Sequence, residues 1–155
     1  MLGVRCLFRV GATAIVFALM AAAPAHGLPS KEPTVEELKA RLASTSIGDR
    51  PHLCVQIAQK QLTEADNFYT ASEFEKGQGA LSDAVAFAEL ARDYAIQSRK
   101  YQKQTEIAAR SMTRKLNDLL HTLDHNDQAP VRDAISRLQR VRDDLLAAMF
   151  PKGAK

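Results

Sequence analysis

An all-α fold is predicted, built as helical hairpins or a bundle around one long central helix at about residues 80–123. Three observations lead there. Ala80 to Leu123 contains neither Gly nor Pro, the two residues that most oppose helix. Within it Leu81, Ala84 or Val85, Ala88, Ala91, Ala95, Ser98, Tyr101, Thr105, Ala108, Met112, Leu116, Leu119 and Leu123 advance in steps of three or four, which gives one continuous seam of coiled-coil type. The flanking segments are rich in Ala, Leu, Gln, Glu, Lys and Arg, all good helix formers.

The elements follow in order. Residues 1–25 read as a cleavable export signal, with Arg5 and Arg9 ahead of the uncharged stretch Val10–Ala23 and the small-x-small site Ala23-Pro24-Ala25. The apolar stretch is shorter than the roughly 20 residues a membrane span needs, so no stable membrane insertion is expected after cleavage. The expected location is periplasmic or secreted. Residues 26–33 form a linker in which Pro29 and Pro33 oppose helix. Thr34-Val-Glu-Glu37 has capping-box form and opens a short helix at about 34–44. Ser44 to Pro51 breaks it, and Asp49 is placed to cap a second helix at about 50–71. A turn is expected between Ala71 and Gly79. After the central helix, His121 to Pro130 is a turn rich in Asp and Asn. A last helix at about 130–150 carries the stripe Val131, Ile135, Leu138, Val141, Leu145 and Met149, and Pro151 begins a flexible tail over 151–155. Residues 34–150 are thus a single helical domain.

An unbroken central helix would be on the order of 65 Å long, about twice its neighbours. The second helix would lie antiparallel along its start and the last along its end, each pair burying little surface by itself. The central helix could break near 97–104 and let the halves fold together, the first helix could cover one half, or two chains could associate along the seam. The unbroken helix with a possible homodimer is the favoured expectation.

Charge and cysteine content narrow the function classes. The chain has 21 basic and 18 acidic residues; without Arg5 and Arg9 the net charge is +1, too little for a nucleic-acid-binding field. Cys54 is the one cysteine outside the leader, so no internal disulfide framework is available. It is expected to be a small core residue. The sequence has no Gly-rich phosphate loop, no G-x-S-x-G, no C-x-x-C-H and no H-E-x-x-H. The expectation is a non-enzyme without a cofactor.

His121 and His125, followed by Asp124 and Asp127, have the i, i+4 spacing that puts two imidazoles on one helix face for zinc or copper. His near a helix C-terminus also suits the helix dipole, and that reading competes. Arg92, Arg99, Lys100, Lys103, Arg110, Arg114 and Lys115 make the central helix basic. One reading is a solvated face interleaved with Glu89, Asp93 and Glu106. The other is a dock for an acidic protein, an anionic lipid surface or a cell-wall polymer, centred on Arg99, Lys100, Tyr101 and Lys103.

Residues 58–91, through Ala65, Phe68, Phe74, Gly77, Leu81 and Ala84, resemble a single helical hairpin of the tetratricopeptide type. Gly77 stands where that family commonly has Ala, and Glu89 where it has a closing Pro. The resemblance implies a helical scaffold that holds protein partners and carries over no binding residue. Leu62-Thr63-Glu64-Ala65-Asp66 is similar to the Leu-Thr-x-x-Gln motif of small helical stress chaperones but lacks its Gln. Together these features point to an exported helical scaffold or protein-interaction protein, with a periplasmic holdase chaperone as the alternative and metal binding through His121 and His125 as a third.

Overall fold

A computed structural model describes residues 32–151. The expected leader over 1–25, most of the 26–33 linker and the tail after Pro151 lie outside the described residues. Five α-helices follow in order among those described: α1 Val35–Ser44, α2 Arg50–Thr70, α3 Phe74–Ser98, α4 Gln102–Leu120 and α5 Gln128–Met149, with a 3-10 turn at His125–Asp127 before α5. The chain is all-α, as the periodicity predicts.

Local chemistry sets the start of α1 and the end of α2. The Thr34 hydroxyl accepts the Glu37 amide at 3.2 Å and the Glu37 carboxylate accepts the Thr34 amide at 2.9 Å, a complete capping box. Asp49 precedes α2 but does not cap it; its carboxylate instead accepts the Ser46 hydroxyl at 2.8 Å. α2 ends in a left-handed residue, Ser72, with the Glu73 amide reaching back to the Phe68 carbonyl at 2.8 Å. Gly77 and Gly79 therefore lie inside α3 and form no part of the turn. At Gly77 an added Cβ would sit 3.0 Å from the Tyr69 ring, so a glycine is what lets that aromatic pack onto α3.

The expected unbroken helix over 80–123 is not found. It divides at Arg99–Tyr101 into α3 and α4, and its last turn is lost beyond Leu120. The division uses no Gly or Pro. Arg99 and Tyr101 both take left-handed backbone, at φ 56° and 60°. For such residues this costs about 1–2 kcal/mol each, so packing must outweigh it. What packing gains is a second layer. α2 packs along α3, α4 along α5, α5 against α3 and α2 against α4. The ion pairs Glu89–Arg137 and Arg92–Asp144 advance together along both helices, so α3 and α5 run parallel.

The resulting core draws on all four long helices. Leu62, Leu81, Val85, Met112, Leu116, Val131 and Leu138 form one buried cluster with Ala58, Ala65, Ala84 and Ala88 between them. The alanines let α2 and α3 approach closely. α1 adds a smaller cluster in which Val35 and Leu38 meet Leu53 and Ile57. A third cluster, Ala95, Ala109, Val141 and Leu145, closes the bundle beneath the α3–α4 connection. Neither half is a thin pair of helices, because the break lets them share one core.

Candidate functional site

The α3–α4 connection lies at the end of the bundle that also holds the α1–α2 loop, the start of α2 and the end of α5. Side chains from separate segments fix it there. Ser98 donates its hydroxyl to the Tyr94 carbonyl at 2.7 Å and accepts the Lys100 amide at 3.3 Å. The Tyr101 carbonyl accepts both the amide and the hydroxyl of Thr105 at 2.8 Å, which starts α4. The Tyr101 ring stacks on His52 of α2, with centroids 5.8 Å apart and planes 27° apart. The Lys100 side chain crosses Gly48, where an added Cβ would stand 3.0 Å from Lys100 Cδ. Arg50 completes the latch. Its Nε donates to the Thr45 carbonyl at 3.1 Å, another guanidinium nitrogen donates to the Tyr94 hydroxyl at 3.3 Å, and the group lies 5.3 Å from the Tyr94 ring centroid.

Arg99, Lys100, Tyr101 and Lys103 are all exposed at this end, and none of the three cations has an ion-pair partner among the described residues. The large exposed apolar side chains of the described residues gather at the same end. Ile47 is in the α1–α2 loop, Ile96 in the last turn of α3, Tyr101 in the connection, Ile107 in the second turn of α4, and Leu146 and Phe150 close α5. Phe150 is 71% exposed. Scattered exposed apolar residues mean little, but here they are confined to one end together with unpaired cations. The sequence singled out Arg99 to Lys103. It gave no sign of Ile47, His52 or Phe150, which reach this end through helix pairing alone.

Of the rest of the basic run, Arg114 and Lys115 lie exposed on α4, whereas Arg92 and Arg110 are paired with carboxylates. Arg110 of α4 and Arg142 of α5 both bond the buried Glu106 carboxylate, at 2.8 and 3.1 Å. Burial pushes that carboxyl up, but the two guanidinium bonds outweigh it and hold it below the usual carboxylate range. Arg92 bridges Asp93 and Asp144. Arg137 donates two bonds to Glu89 at 2.9 and 2.7 Å, which lowers the Glu89 pKa. These charges fasten helices together.

His121 and His125 do not share a helix face. α4 stops at Leu120, His121 caps it, and His125 enters the separate 3-10 turn. Both are exposed, and no group of three or more metal-ligating side chains occurs among the described residues. The helical spacing behind the zinc or copper expectation is absent. Cys54 is fully buried, and burial raises its thiol pKa to about 11 despite the nearby Arg50. No helix among the described residues is long and apolar enough to cross a membrane.

No family model, curated protein or solved structure matches the chain.

Proposed function

We propose that the chain is an exported, non-enzymatic helical interaction protein that docks an acidic protein partner on the α3–α4 end of its bundle. The observation that carries this reading is the convergence at that end of unpaired Arg99, Lys100 and Lys103 with exposed Ile96, Tyr101, Ile107 and Phe150. Cations steer an acidic partner into register, while desolvated apolar and aromatic side chains supply the binding energy. The latch at Arg50, Tyr94, His52 and Tyr101 pre-orders the surface, which reduces the entropy lost on docking. The leader reading places this activity in the periplasm or outside the cell.

Affinity capture from a cell-envelope extract tests the reading, comparing the wild type with R99E/K100E/K103E. A defined partner should be recovered with the wild type and lost, by about a hundredfold in affinity, with the reversed surface. Equal recovery by both rejects it. Binding to anionic vesicles with no protein partner would assign the surface to lipid instead. The holdase reading draws on the same exposed apolar side chains. Suppression of client aggregation at stoichiometric amounts, unaffected by charge reversal, would favour it.

A further inference from the structure

We propose that Arg99–Tyr101 is a hinge, and that a second copy of this chain is the partner of its straightened form, a dimer in which α3 and α4 run on as one helix and the copies exchange hairpins. This inference does not rest on the docking reading.

Three observations carry it. The connection is three residues long, and two of them, Arg99 and Tyr101, hold left-handed backbone without being glycine. Straightening the hinge returns both to right-handed helix and removes that strain; short strained connections are where exchange arises. Next, Ala80 to Leu123 contains no Gly and no Pro, so nothing in the covalent chain opposes a continuous helix there. Finally, the interfaces divide cleanly. α2 with α3 and α4 with α5 pack within hairpins, on either side of the hinge, and would stay intact. What opening exposes is the pairing of α3 with α5, of α2 with α4 and of α3 with α4, the last through Ala95 and Ala109. These surfaces bury Leu81, Val85 and Leu116 against Val131, Leu138 and Leu62 and carry the Glu89–Arg137 and Arg92–Asp144 ion pairs. Only another copy presents the same residues in the same register, so the exchanged dimer rebuilds every buried contact of the closed chain. Against opening stand the Tyr101–His52 stack and the Lys100 contact over Gly48, which exist only while the hinge is bent. Straightening also takes apart the Arg99–Lys103 surface.

The test is size-exclusion chromatography with light scattering on protein refolded at high concentration, paired with a crosslink that tells exchanged from closed chains. Ser82 of α3 and Asp133 of α5 are exposed and line one groove between these helices. A short thiol crosslinker on S82C/D133C should join the chains of the dimer fraction into a covalent pair and link the monomer fraction internally. Cys54, being buried, stays unlabelled, and Cys6 is replaced by serine so that it cannot crosslink. R99A/Y101A keeps the left-handed penalty, favours helix and removes the stack, so the dimer fraction should rise at least about tenfold. R99G/Y101G relieves the strain and weakens the straight helix, so it should fall by at least about as much. Wild type and R99A/Y101A that both stay monomeric after refolding at about millimolar protein would overturn the proposal; the refolded wild type alone decides it if the variant does not fold. A dimer whose 82–133 links remain within one chain would overturn it as well.

Discussion

Glu89 and Arg137 join α3 to α5 through two parallel hydrogen bonds of 2.9 and 2.7 Å. The pair sits where the two hairpins meet, and little more than a turn further along α5 Arg142 ties α5 to α4 through one bond to Glu106. Both carboxyls are held below their ordinary range, Glu89 chiefly by the bond from Arg137. A depressed folded pKa contributes stability that is complete above the unfolded value of about 4.3 and is lost as pH falls through the folded value. Thermal unfolding should therefore hold steady near neutral pH and decline below about pH 4. E89Q should cost about 1 kcal/mol at pH 7, discounted for the half-exposed pair. E106Q should cost about 2–3 kcal/mol, since it leaves two guanidinium groups facing a buried amide. Both variants should lose less of their stability between pH 5 and pH 3 than the wild type.

Gly77 and Gly79 lie in the same helix and should respond oppositely to alanine. Gly79 has nothing within 4 Å of an added Cβ, so G79A should stabilise by about 0.5–1 kcal/mol through helix propensity. At Gly77 the Tyr69 ring must give way, and its hydroxyl is already buried without a hydrogen-bond partner. G77A should gain nothing and lose up to about 1 kcal/mol. Urea unfolding of the two variants beside the wild type measures the difference.

Cys54 is buried on α2, and its pKa of about 11 leaves almost no thiolate at neutral pH. With Cys6 replaced by serine, a thiol reagent should label the native protein only as fast as it opens, and label it within the mixing time in denaturant. Rapid native labelling would place the thiol at the surface and contradict the packing of α2.

The fold was legible wherever short-range chemistry decides. The Thr34 capping box, Pro51 in the first turn of α2 and the stripe through Val131, Leu138, Val141 and Leu145 all appear where spacing puts them. A break near 97–104 was one of the alternatives the sequence left open, but not the favoured one, because neither Arg99 nor Tyr101 favours left-handed backbone. The polar run from Gln97 to Glu106 was its one sign in the sequence. Tertiary packing pulls it over. The same cause hid Glu106, which reads as one more residue of that polar run and whose second guanidinium arrives from α5. It hid half of the candidate surface too. Arg99, Lys100 and Lys103 are visible as a charge run, whereas Ile47, His52 and Phe150 join them only once the helices pair.

The proposed docking surface is tested most directly by photo-crosslinking in the living source cell. A photoreactive side chain is placed at position 103, within the surface, or at position 132, exposed on α5 near its start and so at the far end of the bundle. A discrete adduct with an acidic protein from position 103, absent from position 132 and abolished by R99E/K100E, is the predicted result. Adducts that are the same from both positions, or that survive the charge reversal, would contradict it.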